Sequence, residues 1–180
     1  MIFTETKLQG AYVIEIKQIT DDRGFFGRSW CQKEMEDHGL NGNVVQSNTS
    51  LSKLKGTIRG MHYQKPPYEE TKLIRCTKGA IYDVIVDLRK DSPTFMQWFG
   101  IELTEDNYKM VYVPENFAHG FVTLKDNSEV TYLVTQFYTP GSEGGLRYDD
   151  PQLNIQWPID IKVVSEKDKS QPDFNKSILI

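Results

Sequence analysis

The sequence predicts an all-β protein, a cupin-like jelly-roll barrel with a short surface helix and a short C-terminal helical turn. About ten short runs of β-forming residues recur between turn signals, which is typical of a sandwich or barrel. Only one longer stretch has helical spacing, so the layers of the fold must be sheet packed on sheet. The 180 residues are expected to form one domain, residues 1–180, with a ligand site at the mouth of the barrel.

The N-terminal region predicts a strand, a turn and a second extended segment. Residues 10–19 show the period of two that is typical of a strand. Residues 21–24, with the sequence DDRG, supply a turn. Phe25 and Phe26 then resume an extended chain.

The next segment predicts the surface helix. Ser29 is a suitable N-cap, and Trp30, Glu34 and His38 follow at helical spacing. Gly39 comes next, and glycine commonly ends helices. His38 at the C-terminal end is expected to interact favourably with the helix dipole rather than to act in catalysis.

The rest of the chain continues the pattern of short strands. Residues 73–89 are typical of two strands joined at Lys78 and Gly79. Further strands are predicted at residues 98–103, 110–113 and 129–138, the last with Tyr132 and Tyr138 on one face. Ser165 and Asp168 have the spacing of a capping box, which predicts a final turn of helix.

Residues 46–75 contain three candidate active-site side chains. Arg59, His62 and Lys72 lie between short β-like runs that can direct them into one cavity. His62 is the candidate base, because imidazole is the only side chain whose unperturbed pKa suits a base near neutral pH; a packed or solvated histidine is the alternative. Arg59 and His62 have opposite parity in a strand, so Gly60 predicts a bulge that turns both inward.

The charge and the cysteines argue against several classes of function. A net charge of −4 disfavours nucleic acid as a partner, because phosphate binding leaves a basic footprint. The N-terminus lacks the pattern of a signal peptide, and no window approaches about eighteen apolar residues. The sequence therefore predicts a cytoplasmic protein without membrane contact. Cys31 and Cys76 have no metal or redox spacing and are expected to be free thiols.

The histidines do not favour a metal in the predicted barrel. Metal cupins typically use an H-x-H pair, a carboxylate and a further histidine. Here His62 is followed two residues later by Gln64, and only His119 could join it. Two histidines without a nearby carboxylate make a poor site for a first-row metal. No metal and no cofactor are therefore predicted, and a metal-dependent cupin oxygenase is kept as an alternative.

The remaining polar residues suit proton abstraction next to a carbonyl group in an anionic substrate. A base such as His62 would remove the proton, and a cation among Arg23, Arg59 and Lys72 would hold the developing enolate oxygen. A tyrosine, which stays protonated at neutral pH, would return a proton from the opposite face. The signatures of acyl transfer, NTP hydrolysis and dinucleotide binding are not found in the sequence. A carbohydrate-binding module without turnover is the alternative from another class.

A series of short motifs also resembles one known family. In chain order they are D-D-R-G-F-F, R-G-x-H-Y-Q, K-L-I-R, D-V-x-V-D-L-R, F-A-H-G-F, V-T-Y and S-x-K-D, and they extend from about Asp21 to Asp168. The second and fifth of these motifs, in that order, are the most specific. Over nearly its whole length, the chain resembles the dTDP-4-dehydrorhamnose 3,5-epimerase family.

The resemblance implies an isomerase, a metal-free homodimer that inverts C3, C5 or both in a nucleotide-linked 4-keto-6-deoxy sugar. The implied reaction converts dTDP-4-dehydro-6-deoxy-glucose to dTDP-4-dehydrorhamnose. The resemblance makes His62 the base, Asp168 its partner, Lys72 a contact of the C4 oxygen and Tyr132 the acid. Without the resemblance, Asp168 would be a helix cap. The implied substrate contacts are Arg23, Gln46, Ser47, Asn48, Arg59, His119, Tyr138, Glu143 and Lys167.

Three positions depart from the family pattern. Arg28 stands where many members have a glutamate that contacts substrate, Asn116 replaces a common glycine, and Tyr148 replaces a common tryptophan. The proton-transfer residues are intact, so the departures bear on the nucleotide base, the sugar and the number of inverted carbons. The alternative within this class is an enzyme that epimerises C3 or C5 only, or a ketoisomerase, acting on a GDP-, CDP- or dTDP-linked keto sugar.

Overall fold

The computed structural model describes residues 1–175, which form thirteen strands and two short helices. The strands are β1 (Ile2–Glu5), β2 (Tyr12–Glu15), β3 (Ile19–Asp21), β4 (Gly24–Phe26), β5 (Gln46–Ser52), β6 (Ile58–Gln64), β7 (Lys72–Lys78), β8 (Ala80–Asp87), β9 (Trp98–Thr104), β10 (Lys109–Val113), β11 (Phe117–Thr123), β12 (Ser128–Val134) and β13 (Glu143–Gly145). The helices are α1 (Gln32–Asp37) and α2 (Glu166–Lys169). Within this part of the chain, neither helix has the length and apolar character that crossing a membrane requires.

The strands form two large antiparallel sheets and one small hairpin. The six-stranded sheet has the order β1-β2-β10-β7-β12-β5, and the five-stranded sheet has the order β13-β6-β11-β8-β9. Strands β3 and β4 pair only with each other in the described residues. The predicted all-β, cupin-like jelly roll with a surface helix and a C-terminal helical turn is confirmed.

The main core lies between the two sheets, and strand alternation decides which side chains enter it. On β7, Ile74 and Cys76 are fully buried in this core, whereas Leu73 packs on the other face with Met35 of α1. Lys72 has the same parity as Ile74 and Cys76, so it points to the same side of the sheet. The lysine therefore reaches the interior at the open end of the barrel.

The C-terminal segment is attached to the beginning of β6. A parallel bridge joins Thr57 to Val163, and the N–H group of Ile58 donates to the carbonyl of Val163 at 2.9 Å. Two residues beyond Val163, Ser165 caps α2, and its Oγ accepts the N–H of Asp168 at 3.1 Å. This attachment holds α2 against the edge of the barrel beside β6.

Three local predictions are corrected by the structure. The first helix begins at Gln32, and Cys31 occupies its N-cap position without a capping side-chain bond, so Ser29 is not the cap. Residues 10–19 do not form one strand, because β2 ends at Glu15 and β3 begins at Ile19. Strand β12 ends at Val134, which leaves Tyr138 in the following loop.

Candidate active site

The described residues line two adjoining cavities at the open end of the barrel, about 450 Å³ and about 350 Å³ in volume. Four side chains border both of them: His62, Lys72, Tyr132 and Lys167. His62 comes from the five-stranded sheet, whereas Lys72 and Tyr132 come from the six-stranded sheet. A ligand in this space would therefore lie between the histidine and the tyrosine.

Strand β6 has a bulge that turns Arg59 and His62 toward the same cavity. His62 pairs with His119 of β11 and Arg59 pairs with Phe121, so three steps along β6 match two along β11. Gly60 lies between them at a φ of +124°, and a Cβ atom there would lie 2.5 Å from the β11 backbone. The predicted bulge is confirmed, and only glycine fits it without displacing the neighbouring strand.

His62 forms a short hydrogen bond with Asp168. Its Nε2 lies 2.6 Å from Oδ1 of Asp168, with the histidine side chain 39% exposed and the aspartate side chain 5% exposed. In the neutral imidazole the proton lies on Nε2, because the neighbouring carboxylate oxygen is an acceptor. Nδ1 has no hydrogen-bond partner among residues 1–175. It is therefore available to accept a proton from a ligand.

The surroundings of His62 favour its neutral form. Burial lowers the pKa of His62 below the ordinary value of 6.5, and the positive charges of Lys72 and Lys167 act in the same direction. Asp168 opposes them by raising the pKa. The net shift is downward, so the imidazole is neutral near pH 7 and can act as a base.

Tyr132 and Lys72 are near a carboxylate that the sequence did not point to. Burial raises the pKa of Tyr132 above 10.0, and the negative charge of Glu70 adds to this effect. The ammonium of Lys72 lies 3.1 Å from Oε1 of Glu70, and both side chains are about nine-tenths buried. Tyr132 therefore holds its proton, and Lys72 has a fixed position beside it on the cavity wall.

Seven of the nine predicted substrate contacts line the cavities. Arg59 and His119 border the larger cavity; Gln46, Asn48, Tyr138 and Glu143 border the smaller one; and Lys167 borders both. At the rim, the Lys167 ammonium donates to Oε1 of Glu143 at 2.8 Å. Side chains of both charges thus surround a space with room for an anionic ligand.

The other two predicted contacts lie elsewhere in this chain. Ser47 alternates with Gln46 and Asn48 on β5, so its side chain points to the opposite, exposed face of the sheet. Arg23 lies on the β3–β4 hairpin, where its side chain is 90% exposed and bonded to Asp21. The structure therefore does not bring Ser47 or Arg23 to the cavities of their own chain.

The structure shows the contacts or backbone conformation of the three residues that depart from the family pattern. Arg28 forms an ion pair with Glu34 of α1 at 2.6 Å, which partly neutralises its charge. Asn116 has a φ of +64°, a conformation that asparagine tolerates better than most residues, so it can replace glycine there. Tyr148 uses its backbone carbonyl to accept the indole N–H of Trp157 at 2.9 Å.

Several residues that were not predicted as site residues line the cavities. Ser50 has the parity of Gln46 and Asn48 and could have been found by extending that alternation. Val163 lines the larger cavity, where a long-range bridge joins it to Thr57. A pairing between residues so far apart in the sequence cannot be predicted from local sequence patterns. Other residues that line the cavities without having been predicted as site residues are Thr57, Ile58, Tyr63, Gln64, Glu70, Phe121, Gly144, Val164 and Ser165.

A family model and a related protein identify the same family. The sequence model of the family described as dTDP-4-dehydrorhamnose 3,5-epimerase matches residues 5–176. The dTDP-4-dehydrorhamnose 3,5-epimerase of Salmonella typhimurium is 40% identical over 99% of this chain and 98% of its own.

Two solved structures extend the similarity to the fold. The dTDP-4-dehydrorhamnose 3,5-epimerase of Bacillus anthracis, solved with TDP and PPi bound, is 45% identical, with a TM-score of 0.92 over 96% of this chain and 99% of that one. The Legionella pneumophila dTDP-6-deoxy-D-glucose-3,5-epimerase, in complex with dTDP-4-keto-L-rhamnose, is 37% identical, with a TM-score of 0.91 over 99% and 96%. A family match and relatives of this identity across the chain establish that the protein belongs to the dTDP-4-dehydrorhamnose 3,5-epimerase family.

Proposed function

We propose that this protein converts dTDP-4-dehydro-6-deoxy-glucose to dTDP-4-dehydrorhamnose by inverting C3 and C5 of the sugar. The observation that carries the proposal is the placement of a neutral histidine and a protonated tyrosine on opposite sheets across one cavity. Inversion needs a base on one face of the sugar ring and an acid on the other. The relatives' activity and the ligand in the Legionella structure agree with this choice of substrate.

In the proposed mechanism, Nδ1 of His62 removes the proton from the carbon next to the C4 ketone. The carboxylate of Asp168 accepts the Nε2–H bond at 2.6 Å and stabilises the imidazolium that forms. Because the Asp168 side chain is nearly buried, its charge acts through a low dielectric and is weakly screened. Asp168 thus limits how far burial lowers the pKa of His62, and it stabilises the charged imidazole when it forms.

The enolate that results has its negative charge on the C4 oxygen. We assign its stabilisation to the ammonium of Lys72, which the ion pair with Glu70 keeps in place before the substrate binds. A donor fixed in advance needs no reorganisation in the transition state, and this is a major source of rate enhancement. Tyr132 then delivers its proton to the opposite face of the carbon and completes the inversion.

The remaining contacts are assigned to binding of the nucleotide and the sugar. Cationic side chains around the cavity, Arg59 and Lys167, are suited to the diphosphate, and Tyr138 offers an aromatic surface at the rim. Gln46, Asn48, His119 and Glu143 can hydrogen-bond sugar hydroxyls or the nucleoside. No metal or other cofactor has a part in this mechanism.

The test is the incorporation of deuterium from solvent. The enzyme is incubated with dTDP-4-keto-6-deoxyglucose in deuterated water, with and without a chelator, and the sugar is examined by mass spectrometry and NMR. Two deuterons above the enzyme-free control, together with the rhamno configuration, are expected in both samples. One deuteron would identify an enzyme that inverts a single carbon. No uptake would redirect the search to GDP- and CDP-linked sugars, and loss of activity with chelator would contradict the metal-free mechanism.

The pH dependence of the rate tests the two proton-transfer groups. We expect a bell-shaped profile of kcat, with an acid limb below the ordinary histidine pKa of 6.5 and an alkaline limb above the ordinary tyrosine pKa of 10.0. Glu70→Gln removes a negative charge near Tyr132 and should lower the pKa of Tyr132, moving the alkaline limb to lower pH. The acid limb should stay in place. A variant whose alkaline limb does not move would contradict the assignment of that limb to Tyr132.

We also propose that residues 1–180 act as one domain, in the cytoplasm, and as a homodimer. In the described residues, the main core between the sheets takes side chains from Leu8 to Val130, and the residues that line the two cavities come from β5 to α2, which supports a single domain. Two free cysteines are typical of a reducing compartment.

The β3–β4 hairpin exposes Ile19 and Phe26 at 65% and 73%, and such apolar surface favours burial against a partner. In the proposed dimer, Arg23 on this hairpin reaches the substrate in the cavity of the partner subunit.

Mixing two inactive variants tests the sharing of Arg23 between subunits. Arg23→Ala and His62→Ala are each expected to lower activity strongly. If Arg23 serves the partner's cavity, a mixed dimer contains one complete site, and subunit exchange should restore about a quarter of the wild-type activity for a random mixture of dimers. If Arg23 serves its own cavity, the mixed dimer has no complete site. Absence of recovery, with mixed dimers confirmed by native mass spectrometry, would therefore contradict the proposal.

A further inference from the structure

We propose that Asp83 is a positioning residue of this active site, which holds the imidazole of His119 so that Nδ1 faces the bound substrate. The inference rests on the proposed function, because it takes His119 as a contact of the sugar nucleotide. Asp83 itself does not line either cavity. It would act only through the histidine.

The two residues form a buried pair on neighbouring strands. Asp83 lies on β8 and His119 on β11, and Nε2 of the histidine is 2.7 Å from Oδ1 of the aspartate. Asp83 is 1% exposed and His119 is 9% exposed. The imidazole borders the larger cavity, and its Nδ1 has no hydrogen-bond partner in residues 1–175 and is not fully enclosed. With Nε2 bonded to Asp83, Nδ1 is the nitrogen left for a ligand.

The second oxygen of Asp83 indicates that the residue is not present for stability alone. Oδ2 is buried and has no hydrogen-bond partner among the described residues, which is unfavourable for a carboxylate in an apolar core. Asp87 on the same strand shows the satisfied arrangement: its carboxylate accepts bonds from Arg89, Ser92 and Thr94. An incompletely bonded carboxylate needs another explanation, and its bond to a histidine on the cavity wall supplies one.

Other groups near the pair do not orient His119 in the same way. The cross-strand neighbour His62 is bonded to Asp168. Cys76 is near enough for Asp83 to influence it, but burial, to which Asp83 adds, raises the pKa of this thiol to about 11, so it stays neutral. The charged or titratable groups that share the larger cavity with His119 are Arg59, His62, Lys72, Tyr132, Lys167 and Asp168. Within residues 1–175, Asp83 is the only side chain that hydrogen-bonds the His119 ring.

A double-mutant cycle on kcat/KM tests the inference. Asp83→Ala removes the acceptor and should lower kcat/KM by about 10- to 100-fold. Asp83→Asn keeps an acceptor oxygen in the same place and should recover most of that loss. In a His119→Ala background, Asp83→Ala should cause no further decrease, because its effect passes through the missing ring. Losses that multiply in the double variant, or an Asp83→Ala variant with wild-type kcat/KM, would overturn the proposal.

A spectroscopic measurement separates orientation from a general loss of structure. In ¹⁵N-labelled wild-type protein, Nε2 of His119 should carry a proton that exchanges slowly with solvent, and Asp83→Ala should abolish this signal while the His62 signals stay unchanged. Asp87→Asn is the matched control: it should lower stability but leave kcat/KM and the His119 signal as in the wild type. If the wild-type enzyme exchanged no substrate protons, the proposed function would fail, yet the His119 signal would still decide the role of Asp83. An unchanged signal in Asp83→Ala would overturn that role.

Discussion

Replacing His62 with alanine is expected to abolish the exchange of substrate protons with solvent. The histidine is the proposed base, and no other side chain of the described cavity combines a lowered pKa with a nitrogen free of protein partners. A positioned base contributes about 10²- to 10⁴-fold to the rate. Proton exchange at C3 and proton exchange at C5 both depend on His62 in the proposed mechanism. Deuterium uptake measured by mass spectrometry should therefore fall by at least that factor.

The matched control for this variant is His38→Ala. His38 lies at the C-terminal end of α1, where it stacks on Phe3 with ring centroids 3.8 Å apart, away from the cavities. Its replacement should leave deuterium uptake unchanged. Thermal unfolding of both variants shows whether the fold is retained. Substantial exchange in a folded His62→Ala protein would remove His62 from the role of base.

Replacing Tyr132 with phenylalanine is expected to separate exchange from inversion. The variant keeps His62, so a proton can still be removed from the substrate. Because the His62 side chain is 39% exposed, its proton can exchange with solvent before it returns to the same face. Substrate with its original configuration should then gain deuterium, while product formation falls by about 10²- to 10⁴-fold without the acid.

This outcome is specific to an acid on the opposite face. Time courses of deuterium content and of product configuration, measured by NMR on the same sample, distinguish it from a general loss of activity. Tyr112→Phe is the control, because this tyrosine is buried beside α1 and its hydroxyl accepts the N–H of Asn41 at 3.1 Å. It should affect stability but not the ratio of exchange to inversion. If Tyr132→Phe still formed product at the wild-type rate, another residue would be the acid.

The sequence predicted the elements whose signals are local. The junction of β7 and β8 at Lys78 and Gly79 follows from a turn residue between two apolar runs, and the structure places it there with Gly79 at a φ of +76°. The cap at Ser165 is likewise a matter of spacing over one turn. Arg59 and His62 have opposite parity in the sequence, so a regular strand could not direct both side chains inward. This observation led to the prediction of a bulge at Gly60, which the strand register confirms.

The arrangement of the site depended on contacts between distant parts of the chain. The bond between His62 and Asp168 joins residues 106 positions apart, and alone the aspartate had only the pattern of a helix cap. The resemblance implied Ser47 and Arg23 as substrate contacts alongside the residues that line the cavities. Strand parity turns the side chain of Ser47 to the other face of the sheet, and Arg23 lies on the exposed β3–β4 hairpin. The sequence separation of Asp83 and His119 did not predict their hydrogen bond, which forms because β8 and β11 are neighbours in the sheet.

By itself, the sequence therefore determined the all-β class, most strand positions, the family motifs and the identity of the candidate base. Only the tertiary structure decided which carboxylate accompanies each of the two cavity histidines, which cation has a fixed position beside the tyrosine, and which of the expected substrate contacts lie outside the cavities. The physical reason is that turns, caps and alternation depend on neighbours within a few residues. Pairing of charges across sheets depends on strand order and register, which arise from the packing of the whole barrel.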